Sequence, residues 1–189
     1  EKKELLGLYN AINGTDYDDP DSLTITTIEQ VLYMGMKNDI SFLIENIMNL
    51  YEEQSSWNPN MPLRGLFYLS MIYQGYIKQN HLDIYSSKLL KLPTPRYIVF
   101  YNGLKEEPDR KKLLLSDAFI KKEGQPCLEC VAQVVNLNIG HNKELMKACK
   151  KLHDYSYFIA KVREYLKDGL ILEAGVDQGV RICIRENIL

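Results

Sequence analysis

In positions 2–13, Leu5, Leu8, Tyr9 and Ile12 fall on one stripe at helical spacing. That is the stripe of an amphipathic helix, and Gly14 is well placed to end it. The acidic stretch TDYDDPDS (15–22), broken by Pro20, predicts a loop. From Leu23 the texture changes to LTITTI, β-branched and strand-like. Two more strand patterns follow, DISFLI (39–44) and IMNLYEEQS (47–55), with Glu45–Asn46 suited to a tight hairpin turn. After the loop SSWNPNMP, Pro62 sits where a helix can begin, and residues 63–79 carry apolar and aromatic side chains at helical spacing.

The stretch RYIVFY (96–101) is almost continuously apolar, as expected of a strand covered on both faces. Asn102–Gly103 predicts a turn, and KEEPDRKK (105–112) a charged hinge. LLLSDAF and a strand region over 127–139 come next, then helices over 142–152, 154–167 and 171–186. This order predicts an α/β chain with a mixed central sheet flanked by helices. Residues 1–140 are expected to form the main domain. Residues 141–189 are expected to be a C-terminal helical extension packing on it or continuing it.

Composition narrows the picture only slightly. With 189 residues and a formal net charge of -2, the chain favours one domain and has no overall basic field for a polyanion. Any nucleic-acid contact therefore needs a local basic patch. No stretch approaches the roughly 20 apolar residues of a membrane span, and the start lacks a signal-peptide pattern. The chain opens on Glu1 rather than Met, so native residues are expected to precede it. Cys127 and Cys130 form a single CxxC without a second ligand pair, and a strand would turn them to opposite faces. Reduced, incidental thiols are the expectation there.

The candidate chemistry lies between Asp39 and Tyr68. Glu52 and Gln54 are two residues apart on a strand, so they share a face, while Tyr51 and Glu53 take the other. In a hairpin, Asp39 comes from the neighbouring strand, with the two acids expected near opposite ends of a ladder segment. The register itself is not legible. Such a group supplies hard oxygen ligands of the kind Mg²⁺ prefers. Arg64 and Tyr68, four apart, share a helix face. An Asp that starts a strand and two strand glutamates are also ordinary surface features, so spacing alone leaves the metal site open.

The text Y-E-E-Q-S-S-W-N-P-N-M-P-L-R-G-L-F-Y (51–68) resembles the Rpn-type family of recombination-promoting, transposase-related nucleases in the PD-(D/E)XK superfamily. That family has an Asp at the start of one strand, E-x-Q-S-S in the next, then M-P-x-R-x-x-x-Y opening a helix, and a later Y-x-G. Here these are Asp39, Glu52 to Ser56, Met61 to Tyr68, and Tyr101-Asn102-Gly103. The resemblance covers about residues 1–140. It implies a restriction-endonuclease-like fold and a cytoplasmic, Mg²⁺- or Mn²⁺-dependent DNA endonuclease linked to recombination or mobile elements. By it, Asp39 and Glu52 are metal-binding carboxylates, and the backbone carbonyl of Glu53 is a further ligand. Gln54 stands where the superfamily's catalytic lysine usually is, a replacement typical of this branch. Arg64 either contacts phosphate or supports a carboxylate, and Tyr68 lies in the core or just behind the site. The alternative is a catalytically inactive nuclease-fold module that binds nucleic acid or protein.

Other residues carry weaker expectations. Trp57 either stacks on a base or anchors its loop. His141, at the start of a helix, is expected as a cap or loop residue, and His81 and His153 lack spaced partners. The basic runs 110–112, 121–122 and 150–151 make a DNA track only if the fold gathers them. Tyr155, Phe158, Val162 and Tyr165 form a stripe that is packing, or a small interface in a homodimer.

Overall fold

The computed structural model describes residues 2–26, 39–122 and 124–188. They build a three-layer α/β arrangement around a six-stranded mixed sheet, in which strands 23–25, 40–44, 47–54, 94–101, 131–136 and 110–114 lie side by side in that order. The strands are β1 (Leu23–Ile25), β2 (Ile40–Ile44), β3 (Ile47–Gln54), β4 (Thr94–Tyr101), β5 (Arg110–Leu114) and β6 (Val131–Asn136). The helices are α1 (Lys2–Asn13), α2 (Met61–Gln79), α3 (Lys143–Ala148), α4 (Lys150–Lys167) and α5 (Leu172–Arg185). Among the described residues no helix is long and apolar enough to cross a membrane.

The first three strands are antiparallel neighbours. Glu45 turns the β2–β3 hairpin with a φ of 51°. β3, β4 and β6 run parallel, and β5 closes the far edge antiparallel to β6. A parallel neighbour requires a crossover, and α2 with its following loop supplies it between β3 and β4. The alternation within β4 explains its apolar run. Tyr97, Val99 and Tyr101 join Met48, Leu50, Ala132 and Val134 beneath Met61, Tyr68 and Ile72 of α2. Ile98 and Phe100 face the other way, with Phe42, Ile44, Tyr51 and Val135. On that side lie Leu5, Leu6 and Tyr9 of α1, Leu145 of α3 and Leu152 of α4. Edge-to-face contacts run through this layer from Tyr9 to Phe42, Tyr51 and Phe100, with ring centroids 5.1–6.1 Å apart.

Several expectations shift. Residues 27–28 of the first predicted strand lie outside the described residues. The last three residues of the charged hinge are strand, because Arg110–Lys112 pair with Gln133–Val135 at the sheet edge. The helix expected over 142–152 is interrupted at Cys149, whose extended backbone (φ -128°, ψ 91°) separates α3 from α4. Cys127 and Cys130 precede β6 instead of lying in it; the first is exposed and the second buried. Tyr155, Phe158 and Tyr165 of the α4 apolar stripe are half-buried. Val162 is buried, and a Cβ at Gly179 of α5 would lie 2.7 Å from its Cγ2 and 3.2 Å from the Phe158 ring.

Candidate active site

The candidate residues meet at the C-terminal end of β3. The β2–β3 ladder ends at the pair Ile40–Tyr51, so the next position on each strand sets Asp39 beside Glu52. The expectation that the two acids sit toward opposite ends of a ladder segment is corrected by this register. Burying Phe42 and Ile44 with Tyr51 on one face requires it, since a one-residue slip would turn these side chains to the opposite face.

The Asp39 N–H donates to Glu52 Oε1 at 2.9 Å, and Asp39 Oδ2 accepts the Glu53 N–H at 2.6 Å. Glu52 is only 1% exposed, whereas Asp39 is exposed. From the first turn of α2, Arg64 Nη2 reaches Glu52 Oε2 at 3.1 Å and donates to the Tyr68 hydroxyl at 3.0 Å. Between the two roles open to Arg64, this contact is support of a carboxylate. Tyr68 is buried beneath it.

Burial pushes the Glu52 carboxyl up to about 7, and the neighbouring Asp39 charge pushes the same way. The Asp39 N–H and the Arg64 guanidinium oppose that rise and are outweighed. Glu52 is thus a buried acid poised near neutrality beside a second carboxylate, an electrostatic arrangement that clusters at functional sites.

The face assignments follow the strand period. Leu50 packs with the α2 layer and Tyr51 with the opposite one. Glu53 accordingly projects away from Glu52, and its Oε1 accepts from Asn102 Nδ2 at 2.9 Å and from the Tyr155 hydroxyl. Gln54 Nε2 donates to the Glu53 carbonyl at 2.8 Å. That carbonyl, implied as a ligand by the family resemblance, accepts this hydrogen bond among the described residues, and a carbonyl oxygen has two lone pairs.

Among the described residues no group of three or more His, Cys, Asp or Glu side chains is placed to hold a metal ion. Asp39 and Glu52 make a pair. Mg²⁺ is commonly held by one or two carboxylates with water and substrate phosphate completing its shell, so the donor set fits in kind. The buried Glu52 carboxyl and the exposed Asp39 beside it repel each other, which supplies the electrostatic reason a cation would be favoured there.

Beside the site, Trp57 packs edge to face on Tyr101 at 5.6 Å. Lys105 and Lys111 place their Nζ atoms 4.8 and 4.5 Å from the indole centroid. Both ammonium groups also pair with the buried Glu107 at 2.8 Å. Lys111 is the one member of the predicted basic runs that this cluster takes in. Lys150 pairs with Asp154, Lys151 with Glu4, and Lys122 with Asp117. His141 meets Asp109 at 2.7 Å and His153 meets Asp154 at 3.3 Å, both away from the carboxylate pair. His81 sits in the turn after α2 with a positive φ.

Sequence reasoning missed Tyr155, Arg163 and Tyr97. Tyr155 belonged to an apolar stripe, and nothing local marks its hydroxyl as a partner for a residue 102 positions away. Tyr97 lies against Gly65, and its buried hydroxyl has no hydrogen-bond partner among the described residues. No family model, curated protein or solved structure matches the chain.

Proposed function

We propose that the chain is a metal-dependent DNA endonuclease of the PD-(D/E)XK kind, serving recombination or mobile elements in the cytoplasm. The observation that carries this is the junction of Asp39 and Glu52, two carboxylates from adjacent strands linked through the Asp39 and Glu53 amides. The antiparallel hairpin, the crossover helix and the parallel strand after it also suit a restriction-endonuclease-like core. The sequence resemblance over residues 39–68 supports the same assignment.

Asp39, Glu52 and the Glu53 carbonyl would hold Mg²⁺ or Mn²⁺. Such an ion polarises a phosphoryl oxygen and lowers the pKa of a bound water. The chain's own groups have separate parts. Burial raises the Glu52 carboxyl to about 7, and the group must be deprotonated to serve as a carboxylate ligand. Arg64 steadies Glu52 Oε2 and keeps a compensating positive charge beside it. Gln54, with its Nε2 committed to the Glu53 carbonyl, offers Oε1 to orient a water; its neutral amide cannot replace a lysine's charge.

A second reading is an inactive nuclease-fold module that binds DNA or protein. It is favoured by the occupation of both Glu52 oxygens, one by the Asp39 amide and one by Arg64. Plasmid cleavage in Mg²⁺ or Mn²⁺ separates the two. The wild type should nick DNA, and Asp39→Ala and Glu52→Ala should each lose at least about a hundredfold in rate. Equal cleavage by all three proteins would assign the activity to a contaminant. Retention of DNA in a gel shift without cleavage in either metal would establish the module instead.

A further inference from the structure

Glu53 faces two ways. Its N–H holds the Asp39 carboxylate at 2.6 Å, and its own carboxylate crosses to the opposite side of the sheet. There it accepts the Tyr155 hydroxyl of α4 and Asn102 Nδ2. Asn102 directs both side-chain donor contacts into this cluster, at 2.9 Å to Glu53 Oε1 and 2.9 Å to the Tyr155 hydroxyl. Its N–H closes the end of the β3–β4 pairing on the Gln54 carbonyl at 3.1 Å. Two turns further along α4, Arg163 donates to the Asn102 carbonyl and, at 2.9 Å, to Asn138 Oδ1.

The placement matters because the β2–β3 ladder has already stopped at Tyr51. Beyond it, Asp39 meets β3 through one amide and one carboxylate instead of through ladder bonds. Pairing with β4 continues through Gln54, so on the β2 side the grip of the Glu53 side chain adds to that ladder in holding its amide. Hydrogen bonds to a carboxylate are roughly twice as strong as neutral ones, so a tyrosine hydroxyl on Glu53 is an effective anchor.

We propose that Tyr155 is a positioning residue for the Asp39–Glu52 pair, acting through Glu53 from the far face of β3. This assigns α4 a part in the site and rests, for its catalytic consequence, on the nuclease reading. Tyr155 touches neither substrate nor metal. It fixes the strand end whose amide fixes Asp39.

The test is Tyr155→Phe, with Tyr157→Phe as the control. Tyr157 lies on the same helix, but its hydroxyl bonds Glu186. In metal-free protein, hydrogen exchange at the Glu53 amide should speed up about tenfold in Tyr155→Phe while the Leu50 amide in mid-strand stays protected. Glu53→Ala should reproduce the loss in cleavage, and the double variant should add nothing beyond it. In cleavage, Tyr155→Phe should lower kcat about tenfold with KM for DNA unchanged within twofold. The control should match the wild type in both measurements. Unchanged exchange at Glu53, or equal acceleration at Glu53 and Leu50, would overturn the positioning role. A wild type that cuts no DNA, combined with selective acceleration at Glu53, would defeat the nuclease reading and leave Tyr155 as the anchor of the pair.

Discussion

Arg64 Nη2 lies 3.1 Å from Glu52 Oε2, so the first turn of the crossover helix closes over the carboxylate of the strand before it. The pair is asymmetric: the Glu52 side chain is 1% exposed and that of Arg64 is 32%. The arginine keeps a route to water, and the glutamate has none.

Removing the arginine should therefore hurt most where Glu52 is ionised. Arg64→Met should cost about 2 kcal/mol at pH 8, somewhat less than a fully buried pair because one partner is part-exposed. For a chain of this size that corresponds to a Tm loss of roughly 4–8 °C. At pH 5, where Glu52 is protonated in the folded protein, the loss should shrink below about half of that value. Thermal melts at the two pH values read this directly. Equal losses at both would show that the pairing carries no charge dependence.

Glu52 itself makes a second pH prediction. Its folded value of about 7 lies above the ordinary 4.5, so its stabilising contribution is complete below about pH 4.5 and is lost as pH rises through 7. Glu52→Gln keeps the shape and cannot ionise. Its stability relative to wild type should climb between pH 5 and pH 8, by on the order of 2–3 kcal/mol at most. Urea unfolding of both proteins across that range measures the slope. A flat difference would mean that Glu52 ionises as an ordinary surface acid.

Gly65 sets how closely α2 approaches the sheet. A Cβ there would overlap the Tyr97 ring, 2.5 Å from its Cδ1, and the ring is buried with little room to turn. Gly65→Ala should destabilise by about 1–3 kcal/mol, against the usual gain of alanine over glycine inside a helix. Because Arg64 is the adjacent residue, the same shift should loosen its hold on Glu52. A Tm equal to or above that of wild type would refute the close packing.

The thiols provide a check on the segment that leads into β6. Cys127 is exposed, while Cys130 is buried and its thiol is pushed up by that burial. A thiol-reactive dye should label Cys127 within the fast phase and leave Cys130 to global unfolding. Two fast thiols at this CxxC would contradict the structure.

Much of the local structure was legible in the chain. The period of two over Glu52-Glu53-Gln54 dictates which side chains share a face, and the structure keeps Glu53 apart from Glu52 for that reason. The helical stripe of residues 2–13, the hairpin at Glu45–Asn46 and the proline-led α2 likewise arise from backbone preferences acting over a few residues. Spacing could not say that Lys111 would stand over Trp57, or that Arg110–Lys112 would enter a strand. Edge pairing with β6 decides both.

By itself, then, the sequence determined the elements, the two faces of β3 and the residue types able to supply oxygen ligands. Tertiary structure decided that Asp39 stands at Glu52, because the register is chosen by which aromatic side chains the hairpin buries. It also decided that Arg64 covers Glu52 and that Tyr155 reaches Glu53 from α4. Those contacts depend on the packing of whole layers across the sheet, and no local period of the chain encodes the distance between layers.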